Sequence, residues 1–296
     1  MQDNNSYIND NNLFYEKAFN RNIGLLTEEE QNKLRDTKVA IVGMGGVGGF
    51  HLISLVRLGI GKFSIADMDT YELANIQRQC GAFMDTLGEN KSEVMRKIAL
   101  SINPHLEIKS FNSGIFSENV SEFMADADVL IDGIDFFSIN ERRLMFKEAR
   151  DKGIYAVTAG PLGFSSAMLV FSPDGMSFDE YFDINDDMTY LEKIVAFGVG
   201  LAPASLHMNY LDLNKVDLNS KKGPSLVSAC NLCSSLVLTE IMKIILNKKK
   251  PKSAPNYIQF DPFLQKLKKG YLLGGNRNII QKIKRWYLLK KFSPKK

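Results

Sequence analysis

Apolar and polar positions alternate between two periods over most of the first half of this 296-residue chain. Val39-Ala-Ile-Val42 is a short unbroken apolar run, the pattern of a buried strand. Gly43, Gly45, Gly46, Gly48 and Gly49 break it, and residues 50–58 resume with helical spacing until Gly59-Ile-Gly61. Residues 62–67 predict a second strand, and a polar loop runs from Asp69 to Gly88. A helix over 90–102 stops at Asn103-Pro104, because proline cannot continue a helix. Residues 106–111 form a third predicted strand and 128–132 a fourth, followed by Gly133-Ile-Asp-Phe136. A helix over 139–152 and a strand over 154–158 complete the series. Short strands alternating with helices of roughly ten to fifteen residues predict an α/β fold. Its architecture is a Rossmann-like doubly wound, mainly parallel sheet, with added strands and a C-terminal extension.

The flanking regions follow other rules. Residues 1–12 are rich in Asn and Asp and predict disorder. Thr27 with Glu30 three residues on is a capping box, so a helix starts there. Beyond Ala159, residues 166–171 predict a strand and Ser172-Pro-Asp-Gly175 a turn. Residues 176–200 read as an irregular acidic loop or lid. An apolar helix spans 224–246, and Tyr257-Ile-Gln-Phe260 suits a late strand. The chain therefore divides into an N-terminal arm and capped helix (1–36), a nucleotide-binding core (37–171), a crossover or lid with the late helix (172–246), and a basic tail (247–296).

Composition, 45% hydrophobic and 24% charged, is that of a globular protein. The absence of a leading signal pattern or a long apolar run predicts a cytoplasmic location. Cys80, Cys230 and Cys233 are too few for a disulfide framework. Charge changes the picture at the C-terminus. Residues 247–296 hold 15 Lys/Arg against one acid, Asp261, so a body of −11 carries a tail of +14. Within the tail, Ile279, Ile280, Ile283, Trp286 and Tyr287 share one helical face, with Lys282, Lys284 and Arg285 interleaved. Such a helix suits the chain's own acidic body or a partner protein, the preferred reading, or an anionic membrane surface.

The glycine loop at a helix N-terminus is an anion site, since free N–H groups and the helix dipole favour phosphate. Alone it specifies only a nucleotide. Asp67 lies 24 residues beyond Gly43, near the spacing at which an acid accepts from a ribose. Asn75, Arg78 and Gln79 then arrive together, and Lys91 opens the next helix. An Arg and a Lys near a phosphate loop suit a triphosphate and a leaving pyrophosphate better than a dinucleotide. Asp135, just past the fourth strand, is placed for a magnesium ion, with Asp132 as a structural alternative.

These residues carry a resemblance. Gly43-x-Gly45-Gly46-x-Gly48, Asp67-x-Asp69, Asn75-x-x-Arg78-Gln79, Lys91, Ile102-Asn-Pro104 and Asp132-x-x-Asp135 resemble the ThiF/HesA/MoeB family, the bacterial branch of the ubiquitin-activating superfamily. The match in order and spacing covers about residues 15–160, and the stretch 223–240 resembles the family's late helix. The resemblance implies a homodimer that uses ATP and Mg²⁺ to adenylate a carboxylate, often that of a ubiquitin-like or sulfur-carrier protein or a peptide. It implies Asp67 on ribose, with Asp69 and Gln79 in the same cofactor set. It puts Asn75, Arg78 and Lys91 on phosphates, Asp135 on the metal, and Arg21 reaching the neighbouring subunit's triphosphate.

Three departures stand out. One CxxC pair, Cys230 and Cys233, replaces the two that many relatives use for zinc, so core packing is the preferred role and a zinc site is not expected. No cysteine occurs over 81–229, which removes the usual thioester step. Phe136 stands where many relatives have Asn. A second reading within the same family is a tRNA threonylcarbamoyladenosine dehydratase-like enzyme acting on tRNA. Readings of other classes are an NAD-binding oxidoreductase, which does not require Arg78, Lys91 and Asp135 together, and a non-catalytic scaffold, which would have lost them.

Overall fold

Strand β1 (Lys38–Val42) alternates its burial between two cores: Ala40 and Val42 face one, Val39 and Ile41 the other. A strand with an unbroken apolar run such as Val39–Val42 must be covered on both faces, and this one is. The computed structural model describes residues 4–218, 220 and 222–293. Around β1 lie β2 (Lys62–Ala66), β3 (Glu107–Phe111), β4 (Val129–Asp132) and β5 (Tyr155–Leu162), in the order β3-β2-β1-β4-β5 and all parallel. Antiparallel strands β6 (Ser165–Phe171), β7 (Asn256–Asp261) and β8 (Lys266–Tyr271) extend the β5 edge to eight strands. The predicted doubly wound α/β sheet is thus present, with its added strands.

The helices follow from capping as well as periodicity. In chain order they are α1 (Asn4–Asn9), α2 (Asn11–Ala18), α3 (Glu28–Asp36), α4 (Gly48–Leu58), α5 (Lys91–Ile102), α6 (Val120–Phe123), α7 (Ile139–Asp151), α8 (Phe178–Phe182), α9 (Tyr190–Leu201), α10 (Val227–Leu246) and α11 (Ile279–Phe292). The capping box at Thr27 forms as expected: Glu30 N–H donates to Thr27 Oγ1 at 3.1 Å, and Thr27 N–H to Glu30 Oε2 at 2.9 Å. Helix α4 ends where Gly59 enters the left-handed region at φ +99°, its N–H closing onto Leu55 and Val56 carbonyls. Helix α10 is long and apolar enough to span a bilayer, but Cys230, Cys233, Val237 and Ile241 are buried against the sheet and α4, as in a core helix.

Three expectations change. The Asn/Asp-rich start is helical from Asn4, with Asp10 capping α2 through the N–H groups of Asn12 and Leu13; residues 1–3 lie outside the described chain. The expected acidic loop over 176–200 holds two helices. Ser177 with Glu180 caps α8, and Thr189 with Glu192 caps α9, two capping boxes whose acids account for part of that acidity. The basic stretch after 247 is folded. Its strands pair with β6 and with each other, and α11 packs on α9, while residues 294–296 lie outside the described chain. Lysines at Lys266, Lys268 and Lys269 on β8 protect an edge strand from pairing with other chains.

His51, in α4, is buried with no partner for either ring nitrogen, and burial lowers its pKa to about 3. The folded state therefore refuses a proton that the unfolded chain accepts near its ordinary 6.5. This stabilisation is complete above pH 6.5 and is lost as pH falls toward 3. His207, lowered by burial to about 4, acts in the same direction. Between pH 7 and pH 5, denaturant titrations are expected to show the wild type losing roughly 2 kcal/mol more than His51→Leu.

Candidate active site

The sheet order reverses between β1 and β4, and in such sheets ligands bind beyond the strand C-termini at that split. Here the backbones close on each other. A Cβ at Gly43 (φ +87°) would lie 2.3 Å from the Gly133 carbonyl oxygen, and one at Gly48 would lie 1.7 Å from that of Gly43. No side chain fits at either position, so the first turn of α4 sits directly over the end of β1. The Asp67 carboxylate, at the end of β2, braces this loop. It accepts the Met44 N–H at 2.6 Å and the Asp69 N–H at 2.9 Å. Burial pushes its pKa up, against the lowering effect of those two N–H groups. Asn90 and Ser92, at the start of α5, both donate to the Asp67 carbonyl, which ties the strand end to the next helix.

The predicted residues gather at one cavity of about 1100 Å³. Gly43, Gly45 and Gly46 form one wall, and Asp67, Asp69, Asn75, Arg78, Gln79 and Lys91 another. Gly48 lies behind the loop in the first turn of α4. Lys91 is buried, with Nζ 3.1 Å from Asp69, so the two form an ion pair rather than independent ligand contacts. Asn75 Oδ1 accepts the Glu72 N–H and shapes the turn that presents Arg78. Arg78 reaches only the Ala74 carbonyl at 3.5 Å, and among the described residues no carboxylate lies within ion-pair distance of it. Gln79 is buried beside Gly45 with its Oε1 unpartnered. Arg21, by contrast, lies in an exposed turn (Asn20–Asn22) and does not line the cavity.

Asp132 and Asp135 divide the work at the end of β4. Asp132 is buried and pairs with Arg142 Nε at 2.7 Å, the structural alternative foreseen for it. Asp135 is exposed at the cavity, its Oδ1 accepting the Phe137 N–H at 2.9 Å. Arg142 was not singled out by sequence, yet it organises this loop. Its Nη2 donates to the carbonyls of Ile134 (2.6 Å) and Asp135 (3.2 Å), and its guanidinium lies 4.3 Å from the centroid of the Phe197 ring. Nothing local separates it from Arg143, which pairs instead with Asp179 and Asp186. A partial signal was its place in the first turn after a strand-end acid.

Past the glycine loop the cavity continues into an apolar chamber. Phe136 packs against Phe197 at 5.3 Å between centroids, and with Leu201 and Met208 it forms the walls. Helix α11 closes the far side with Leu288 and Phe292. His207 lies at its edge, beside Gln259 and held neutral by burial. None of this chamber was anticipated, because its walls come from four separate stretches of chain.

A nucleoside triphosphate fits the loop end: a cradle with no room for Cβ atoms and an Arg78 with no acid among the described residues suit the phosphates, and the orphaned Gln79 Oε1 suits a hydroxyl or N–H donor of the nucleoside. Magnesium fits through Asp135 together with phosphate oxygens, the way that ion is commonly held. Among the described residues no group of three or more His, Cys, Asp or Glu is placed to hold a metal by itself. Cys230 and Cys233 are buried in α10, where Ser166 Oγ donates to Cys233 Sγ at 3.0 Å and burial pushes both thiols up. Cys80 packs beneath Gly49, its pKa also raised by burial, to about 12.

Comparison with known proteins places this geometry. The ThiF family matches residues 19–272. A probable molybdopterin-synthase adenylyltransferase from Porphyra purpurea is 37% identical over 109 residues, 37% of this chain and 28% of that protein. A tRNA threonylcarbamoyladenosine dehydratase from Haemophilus influenzae is 31% identical over 150 residues, 50% of this chain and 57% of that protein. The chain thus spans about a quarter to somewhat over half the length of these relatives. Among solved structures, E. coli MccB with ATP superposes with a TM-score of 0.65 at 19% identity, covering 88% of this chain and 71% of that one. At that identity the likeness concerns the fold.

The Asp132–Arg142 pair sets a stability prediction. Removing one member of a buried pair leaves the other charge uncompensated. Arg142→Ala is expected to cost roughly 3–5 kcal/mol in chemical denaturation. Lys97→Ala, which breaks an exposed pair with Glu89, should cost below about 1 kcal/mol in the same assay.

Proposed function

The chain belongs to the ThiF family, and we propose that it is an adenylyltransferase that joins a carboxylate to AMP at the expense of ATP. The carboxylate oxygen would attack the α-phosphorus, and pyrophosphate would leave. The glycine loop and the start of α4 would receive phosphate oxygens, with Asp67 offering its remaining lone pairs to the ribose. Arg78, free of an acid, would neutralise charge that develops on the departing pyrophosphate. Lys91 lines the same cavity and keeps two N–H donors beyond its contact with Asp69, so it would reach the phosphates from that ion pair. Arg142 holds the Ile134 and Asp135 carbonyls and so fixes where the Asp135 carboxylate projects. Magnesium, when bound, supplies charge neutralisation across the phosphates.

The observation that carries this reading is the continuity of the cavity. The phosphate loop opens into a second chamber, which gives an acyl donor direct access to the α-phosphorus position. We assign the donor as the C-terminal carboxylate of a carrier protein or peptide. E. coli MccB, of the same fold, has been solved with MccA and AMPCPP. A second reading, a tRNA-modifying dehydratase that activates a nucleoside carboxylate, is supported by the Haemophilus relative and by the lysine-lined edge of β8.

ATP–pyrophosphate exchange tests the chemistry. Exchange should depend on a carboxylate partner, fall at least about 100-fold in Asp135→Ala and drop comparably in Arg78→Ala. Strong NAD binding with no exchange for any carrier, peptide or tRNA substrate sinks the proposal. A homodimer with Arg21 supplied across the interface makes a separate prediction. Arg21→Ala and Asp135→Ala proteins, each inactive alone, should recover about a quarter of wild-type exchange when mixed and re-equilibrated, because one mixed site in each heterodimer is intact.

A further inference from the structure

Helix α11 is amphipathic the wrong way round for a helix that packs on a core. Surface helices bury their apolar stripe and show their polar one. In α11 the inward face is polar over its first two turns, and only toward its end do Leu288 and Phe292 turn inward to wall the chamber. Gln281 Nε2 donates to the Val199 carbonyl at 3.1 Å, Lys284 Nζ to the Pro203 carbonyl at 2.7 Å, and Arg285 pairs with Asp183 at 2.7 Å. The helix therefore docks on the chain's own body, as the charge balance suggested, but through hydrogen bonds and an ion pair. Ile279, Ile280, Ile283 and Trp286 are consequently turned outward, and Tyr287 borders the chamber, each more than half exposed. Leu273, in the segment that leads into the helix, is 72% exposed. Clustered apolar exposure of this kind marks an interaction surface.

The charges around it select the partner. Lys282, Lys290 and Lys291 are exposed along the same helix, and Lys290 Nζ lies 5.5 Å from the centroid of the Trp286 ring. No Asp or Glu occurs anywhere from residue 262 to the end of the chain. A partner protein that covered five large apolar residues would have to match three lysines with fixed acids. A bilayer with anionic headgroups satisfies both demands without specific pairing. Apolar side chains and the Trp ring enter the acyl boundary, and lysines reach headgroup phosphates.

We propose that the outward face of α11 seats the protein on anionic phospholipid membranes, with the helix axis lying in the surface plane. The inward bonds of Gln281, Lys284 and Arg285 hold that face in place before contact, so no folding of the helix is required on binding. Because Leu288 and Phe292 of the same helix wall the apolar chamber, the membrane would lie on the other side of the chamber wall. The proposal concerns a surface and does not depend on the reaction assigned above.

Trp286 is the single tryptophan of the chain, so intrinsic fluorescence reports on this face alone. The full-length protein is titrated with vesicles of phosphatidylglycerol and of phosphatidylcholine, and co-sedimentation is measured in parallel. The expected result is a blue shift of Trp286 emission and sedimentation with phosphatidylglycerol, with affinity on the order of 100-fold above that for phosphatidylcholine. Binding should weaken in high salt. Ile280→Glu with Ile283→Glu should abolish both signals, and Lys290→Glu with Lys291→Glu should remove the preference for phosphatidylglycerol. These positions are exposed, and an unchanged melting temperature checks that the variants fold. The absence of a shift and of sedimentation overturns the proposal. So does binding that survives the isoleucine variants, which would place the contact elsewhere. A blue shift that follows protein concentration without vesicles, with a dimer in light scattering that the isoleucine variants lose, also overturns it in favour of a second copy of the chain. Protection of Trp286 by RNA but not by vesicles overturns it as well.

Discussion

Three backbone segments meet where the sheet splits, and the contact leaves no space for a single methyl group. Gly43 leaves β1, Gly48 starts α4, and Gly133 leaves β4, each against the carbonyl of another. This contact fixes the entry of α4 over the sheet, and the free N–H groups of the turn point into the split as a consequence. Everything else at the site is referred to it. Asp67 braces the loop from β2, and Arg142 braces the opposite lip from α7. The two supports differ in kind. One is a carboxylate that accepts backbone N–H groups, and the other is a buried guanidinium that donates to backbone carbonyls. Together they hold both sides of the opening from beneath, through backbone groups.

The charges in the opening are not equivalent, and the tertiary contacts decide their roles. Asp132 and Asp135 are three residues apart, yet one is spent in a buried pair and the other faces the cavity. Arg78 and Lys91 carry the same charge, yet among the described residues Lys91 is paired with an acid and Arg78 is not. A cation with no acid among the described residues and a carboxylate open to the same cleft offer charges that a phosphate and a metal ion can use, which is why we assign them to a nucleotide and its metal.

The second half of the molecule works by an opposite arrangement of polarity. In the sheet, apolar side chains turn inward. Over the first two turns of α11, polar groups turn inward and apolar ones outward, because α9 and the segment after it present carbonyl groups and Asp183 presents a carboxylate. The same helix thereby closes an apolar chamber on one side and offers an apolar surface on the other.

Local pattern was enough for the alternating strands and helices through residue 158, since each carries its own periodicity and its own stop. It was also enough for the glycine loop, whose residue types have few other uses. It failed over 1–12, which is helical from Asn4, and over 176–200, where two short helices were masked by acids that serve as caps; after residue 247 it found β7 and the helix but not the edge strand β8. The candidate site residues could be picked by type and by their place after strand ends, and Arg78, Lys91 and Asp135 all line the cavity. Arg142 was not legible, because its neighbour Arg143 has identical chemistry and only packing sends one inward. The apolar chamber and the inverted face of α11 were not legible either. A sequence determines which residues share a helical face, but which face meets the body depends on the groups that a distant segment places opposite it, and these exist only once the chain has folded.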